Sequence, residues 1–347
     1  MSTNRNFWKS KKILITGHSG FVGSWLFNYL NKKKIKVFGI SLKPKKKSLH
    51  YFLEHNKNKN SYICDINNFS KLNKILKKIR PNIIIHLAAQ SLVIESVKQP
   101  IKTYETNIFG TLNILRIIKK YSFVKSTIFF TSDKVYENNS YNNKFDENFK
   151  LNGDDPYSGS KAASEIVINS YKKTYLLNKN IIILRAGNII GGGDYAKYRV
   201  IPDIIRSYLN KQNLIVRNQK ATRPWQHIVD VLSNITKVIE KTYYKKKYQE
   251  IFNIGNNSKN INVAEIIKIA REYFPLKIKL NKTLNIDKKN LNLNCSKIYK
   301  KLKIRNKYSA TTAIENTFEW YKNFHIKKMK AKILCDNEIL KHENENI

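Results

Sequence analysis

Cysteine is scarce. The three present, Cys64, Cys295 and Cys335, lie far apart, form no CxxC and leave an odd number, so neither a disulfide framework nor a zinc site has support. A chain of this kind is expected in a reducing compartment, the cytoplasm. Long apolar runs are missing too. The longest, around Ile83 to Ala89, falls far short of the roughly 20 residues a membrane span needs, and Met1 to Lys12 contain no apolar core of a secretory signal. Neither membrane insertion nor secretion is expected. No internal repeat of fixed period is visible.

Acidic residues are few, 25 Asp and Glu against 65 Lys and Arg, which leaves a net charge of +40. Such an excess raises nucleic-acid binding as a hypothesis. The lysines, however, are strewn along the whole chain beside Asn and Ile instead of forming one basic arm with stacking aromatics. They read as solvated faces, and nucleic acid is not expected as a partner. An anionic substrate would still gain from the field.

What is present is ordinary for a folded protein: 347 residues, 41% hydrophobic and 12% aromatic, enough for about two packed units at roughly 150 residues each. Short apolar runs at Lys11–Thr16, Lys36–Ile40, Ser61–Cys64, Asn82–Ala88, Ser126–Thr131 and Asn180–Arg185 read as strands, with seven or so expected in all. Helical spacing follows Gly23 and recurs over about Thr103–Lys120 and Tyr157–Leu177. This alternation predicts an α/β fold, a Rossmann-type doubly wound parallel sheet covered on both faces. After Ala186 the texture changes to a glycine-rich loop, Gly191-Gly192-Gly193-Asp194, which points to a smaller, discontinuous C-terminal substrate domain. The expected division is 8–186 with 222–258 for the dinucleotide, 187–221 with 259–325 for the substrate, and 326–347 as a polar extension with one peripheral helix near Ile333–Leu340.

Three motifs carry chemistry. Thr16-Gly17-His18-Ser19-Gly20-Phe21-Val22-Gly23 follows the first strand and opens a helix. Glycines there allow a tight turn and close approach of backbone to a pyrophosphate, which the helix N-terminus attracts. The end of the second strand, Ile40-Ser41-Leu42-Lys43, has no acidic residue for an adenosine ribose, so NAD and NADP both stay open on this feature. Asp65 after the third strand is either an adenine contact or a helix cap. Second, Tyr157-Ser158-Gly159-Ser160-Lys161 sets a phenol and an ammonium four residues apart on one helix face. A phenol near pKa 10 is a poor base at neutral pH, and the ammonium is expected to lower that value. Third, Thr131-Ser132-Asp133-Lys134 ends a strand at the edge where open α/β sheets bind ligands. A hydroxyl, a carboxyl and an amine arriving there point beyond simple alcohol oxidation; a plain polar turn is the alternative.

Together these residues resemble the extended short-chain dehydrogenase/reductase family, the nucleotide-sugar epimerases and dehydratases, over roughly residues 8–325. Leu87-Ala88-Ala89-Gln90, Asn107 with Gly110 and Thr111, and Arg185-Ala186-Gly187-Asn188 match its landmarks. Gly187 to Asp194 and Ala221-Thr222-Arg223-Pro224-Trp225-Gln226-His227 are closest to the CDP-glucose 4,6-dehydratase group. Departures are Val22, where that group usually has lysine, Gly153-Asp154-Asp155 and Ser158-Gly159-Ser160. The resemblance implies a tightly held NAD, a nucleotide-diphosphate-glucose substrate dehydrated at C4–C6, and a homodimer or homotetramer formed through helices flanking the sheet.

In that scheme Tyr157 deprotonates the sugar 4-hydroxyl, Lys161 binds the nicotinamide ribose, Ser132 positions O4 and Asp133 protonates the leaving 6-hydroxyl. Lys134 is either the C5 base or an orienting group for Asp133. Gly17, Ser19, Gly20, Phe21, Val22, Gly23, Asp65, Ile66, Leu87, Ala88, Ala89 and Asn107 join Tyr157 and Lys161 as candidate cofactor contacts. Gln90, Asn188, Arg217 and Arg223 are candidate substrate contacts, whereas Trp225 and His227 are expected to pack the domain junction. A 4-epimerase using Tyr157 and Lys161 without Asp133, a dehydratase of another nucleotide hexose, and a non-catalytic dinucleotide sensor or basic nucleic-acid binder are the alternatives.

Overall fold

The computed structural model describes residues 5–137, 144–256, 260–280 and 292–345. Seven strands form one sheet: β1 (Lys12–Thr16), β2 (Lys36–Ser41), β3 (Ser61–Ile63), β4 (Ile83–His86), β5 (Ser126–Ser132), β6 (Asn180–Ala186) and β7 (Gln249–Ile254). Their order is β7-β6-β5-β4-β1-β2-β3 and every pairing is parallel. The order reverses between β1 and β4, so the chain leaves a crevice at the carboxyl ends of those strands. The six strands named from sequence all form, and β7 is the seventh.

Apolar runs make these strands because both faces are covered. β4 (Ile83-Ile84-Ile85-His86) and β6 are buried along their whole length. Alternate residues feed two cores. Ile13, Ile15, Ile83, Ile85, Ile182 and Leu184 pack with α1 (Phe21–Lys32), α6 (Ile228–Thr242), α7 (Ala310–His325) and α8 (Ala331–Asn344). Leu14, Ile84, Phe129, Ile181 and Ile183 face α2 (Phe69–Ile79), α3 (Gly110–Lys120) and α4 (Pro156–Tyr175). Each such fully buried side chain contributes about 1.5–3 kcal/mol over an exposed one, so the sheet is the rigid base from which the site's loops project.

Beyond β6 the chain forms two-stranded pairs, among them Thr222–Arg223 against Ile261–Asn262 and Gln226–His227 against Ile189–Ile190, together with α5 (Val200–Leu209). The sequence boundary at 258 falls within 257–259, outside the described residues. The glycine triplet is a packing device. A side chain at Gly192 would put its first carbon 1.9 Å from the Trp320 ring, and Trp25 Nε1 donates to the Gly192 carbonyl at 2.9 Å.

The peripheral helix expected near 333–340 is α8. It is no loose appendage: Leu334, Cys335 and Ile339 are buried in the same core as Trp25 and Leu26 of α1, and His342 meets Asp230 of α6 at 2.8 Å. Among the described residues no helix is long and apolar enough to cross a membrane, and the three cysteines are free and buried.

Candidate active site

A cavity of 780 Å³ runs across the carboxyl edge of the sheet, from the glycine loop to the loops after β5 and β6. At one end α1 begins, with Gly20 as its N-cap and no side chain capping its first turn. Gly17 has φ +75°, and a side chain there would meet the Ala88 amide nitrogen at 2.7 Å. Only glycine lets this backbone lie against the loop after β4. The loop, the uncapped amides and the positive end of the α1 dipole form a cradle for a pyrophosphate.

Gly17, Ser19, Gly20, Phe21, Val22, Gly23, Asp65, Ile66, Leu87, Ala88 and Ala89 line this end. Asp65 is not the helix cap. Asn68 caps α2 by accepting from the Lys71 amide, while Asp65 stays on the cavity wall and accepts from Asn67 N at 2.9 Å. Ser41 and Leu42 line the wall at the end of β2. These residues fit a dinucleotide.

At the other end Ser132, Asp133, Lys134, Tyr157 and Lys161 come together with Asn188, Arg217 and Arg223. β5 carries Ser132, and the turn that follows buries Asp133 at 3% exposure. Ser132 Oγ donates to Asp133 Oδ1 at 3.0 Å, whereas Oδ2 is buried without a hydrogen-bond partner. Burial raises the Asp133 carboxyl above the ordinary carboxylate range, with Lys134, Ser132 and Arg223 opposing it. A carboxyl made reluctant to ionise is one that holds a proton to give.

Tyr157 departs from the sequence expectation. Burial pushes its phenol up to about 12, with Ser132 and Arg199 opposing the rise and Asp133 and Asp155 adding to it. The Lys161 ammonium does not do the lowering, because its Nζ turns to the Phe130 carbonyl at 3.2 Å. Burial in turn lowers Lys161 to about 8, against the pull of Glu165. Desolvation of two groups sharing a dry wall outweighs the attraction that their spacing promised.

Two candidates do not reach the cavity wall. Gln90 spends its side chain on its own turn, donating to Leu92 O (3.1 Å) and Thr103 Oγ1 (3.0 Å) and accepting from Leu92 N (2.6 Å). Asn107 sits at 2% exposure on the π-helical segment Glu105–Phe109. It accepts from Gln90 N and donates to Gln90 O and Ser160 Oγ. With both amides satisfied by protein, these residues brace the Leu87–Gln90 loop against α4.

Arg223 is buried and donates to Thr222 O at 2.7 Å; half-buried Arg217 donates to Tyr198 O at 3.1 Å. Trp225 lies on the cavity wall while donating to Ile261 O, and His227 packs beneath against Tyr308. The sequence reading missed Arg199. It precedes α5, pairs with Asp194 at 2.9 Å and lines the cavity beside Tyr157. A lone arginine in a chain so rich in cations carries no signal until the fold aims it.

A family model described as GDP-mannose 4,6 dehydratase matches residues 14–333. The CDP-glucose 4,6-dehydratase of Salmonella typhimurium is 38% identical over 273 residues, 76% of each chain. The dTDP-D-glucose 4,6-dehydratase of Dictyostelium discoideum is 34% identical over 286 residues, 75% of this chain and 62% of the relative. Among solved structures, dTDP-glucose 4,6-dehydratase of Bacillus anthracis in complex with NAD superposes with a TM-score of 0.77 at 25% identity, covering 91% of this chain and 98% of that one.

Proposed function

This chain belongs to the GDP-mannose 4,6-dehydratase family, and from that premise we propose that it is an NAD-dependent lyase converting CDP-glucose to CDP-4-keto-6-deoxyglucose and water. The observation that carries the reading is Asp133: a buried carboxyl with one oxygen unpartnered, raised by desolvation, beside Ser132 and Tyr157. A 4-epimerase has no leaving hydroxyl to protonate and no use for it.

The glycine loop and α1 hold the pyrophosphate, and residues 187–221 with 259–325 supply the sugar-nucleotide side. NAD, when bound, supplies reversible hydride acceptance. Tyr157 takes the proton of the 4-hydroxyl. In the free protein it is a phenol at neutral pH, so its base role depends on the groups that oppose the rise, the Ser132 hydroxyl and the Arg199 guanidinium. Ser132 positions O4. The 4-ketone acidifies C5–H, for which Lys134 stands on the cavity wall, and Asp133 delivers its proton to the departing 6-hydroxyl. Arg223, Asn188 and Arg217 offer donors to the substrate diphosphate.

The cytidine base follows the relative at 38% identity. We place the protein in the cytoplasm, which suits its free thiols, and assign it a homodimer. Val97, Ile101, Phe109 and Ile166 stand 56%, 70%, 58% and 61% exposed on the helical segments beside α4 and on α4 itself, an apolar face suited to a second copy. Incubation with CDP-, dTDP-, GDP- and UDP-glucose tests the activity. The reading requires loss of one water from the CDP-glucose product mass and alkali-dependent absorbance of a 4-keto sugar; unchanged substrate, or a 4-epimer, rejects it.

A further inference from the structure

Beneath Lys161 lies a buried ion pair that the scheme above does not use. Helix α4 carries Tyr157, Lys161 and Glu165 at intervals of four, so they line one face. Glu165 is fully buried and Arg185 of β6 is 2% exposed. Arg185 Nη2 donates to Glu165 Oε2 at 2.6 Å, and Nε reaches Oε1 and Oε2 at 3.1 and 3.0 Å. Thr131, the residue before Ser132 and the cross-strand partner of Arg185, adds its hydroxyl to Oε1 at 2.6 Å. Arg185 is anchored from behind by the Tyr136 hydroxyl (3.0 Å) and the Glu147 carbonyl (3.1 Å).

The Glu165 carboxylate is therefore saturated from the sheet side while its own helix presents Lys161 one turn away. A bare carboxylate there would draw the amine toward it and hold its proton. A neutralised one leaves the amine on the Phe130 carbonyl, at the cavity wall. The other titratable groups facing this region are Tyr157 on α4, Asp133 after β5 and His86 on β4, with Lys172 farther along α4 also sensing Glu165.

We propose that Glu165 and Arg185 are positioning residues for Lys161: by committing the carboxylate to Arg185 and Thr131, the fold fixes where the amine lies and how readily it gives up its proton at the cofactor. Neither residue lines the cavity. Burial lowers the Lys161 ammonium to about 8, and Glu165 pulls the other way.

The test is a pair of substitutions with opposite expected signs. Glu165→Gln removes the anion and leaves the cation, so the Lys161 transition moves to lower pH; Arg185→Met frees the anion, so it moves to higher pH, each by about one unit. Arg185→Lys returns the transition toward wild type, and Thr131→Val, gentler on folding, shifts it upward by less. The readouts are the pH dependence of NAD binding to the free protein and of kcat with CDP-glucose. The kinetic arm rests on the dehydratase reading, but the binding arm does not. Absent turnover with opposite shifts in the binding titration rejects that reading and supports this one. Shifts of the same sign in Glu165→Gln and Arg185→Met, no shift in Thr131→Val, or an Arg185→Lys transition displaced as far as that of Arg185→Met, overturn the proposal in favour of a merely structural ion pair.

Discussion

Asp133→Asn separates chemistry from stability at one atom. The amide keeps the shape and the hydrogen-bonding partner Ser132 but has no proton to deliver. General acid catalysis contributes about 10²–10⁴ in rate, equivalent to about 3–5.5 kcal/mol at 1.36 kcal/mol per tenfold. Turnover of CDP-glucose, followed by the alkali absorbance of the keto sugar, should fall by that factor, while reduction of bound nicotinamide on adding substrate persists. Stability should change the other way. The Asp133 carboxyl is raised above its ordinary value of 3.8 by burial, so the folded state binds a proton that the unfolded chain has released. Wild-type stability therefore falls as pH climbs from about 4 toward the folded value and then levels off. The Asn variant has no such loss, so its Tm should match wild type at acid pH and exceed it at pH 8. Turnover within about tenfold of wild type would refute the general-acid role, and a lower Tm at pH 8 would refute the burial argument.

Gly17→Ala should abolish NAD binding and lower Tm by several degrees, since the added carbon meets Ala88 backbone at 2.7 Å in a left-handed conformation; calorimetric titration with NAD reads it. Ile166→Glu, on the exposed apolar face of α4, should convert a dimer to a monomer in sedimentation analysis without lowering helix content. His18, His50 and His55 form a buried ring cluster with centroids 5.0 and 5.5 Å apart, lowered by burial from 6.5 to about 4, 4 and 3. Protons taken up by the unfolded chain alone make stability drop as pH falls from 6.5 toward about 4. His50→Phe should flatten that drop in a Tm-against-pH series; an equally steep curve would discount the cluster.

The sheet was legible because Ile83–Ile85 of β4 and Ile181–Leu184 of β6 are unbroken apolar runs, and a parallel strand covered on both faces leaves that mark. The glycine loop and the Tyr157–Lys161 spacing were legible because backbone approach and helix period are local rules. Proton affinities were not: spacing says that Lys161 neighbours Tyr157, but only the packed wall shows that desolvation overrides the attraction. Gln90 and Asn107 read as ligand contacts since their type suits that work, and the turn that consumes their amides exists only in three dimensions. Arg199 depends wholly on Asp194 and the start of α5 for its aim.

The docking of α8 on α1 has a consequence for biosynthesis. The back of the helix that opens the dinucleotide cradle is covered by Leu334, Cys335 and Ile339, and Asn28 donates to Asp336 at 3.0 Å. A ribosome emits the cover about 300 residues after the helix it covers. Until then Trp25 and its neighbours lack part of their cover, so the back of the cradle helix is completed by the last helix of the described chain to be synthesised.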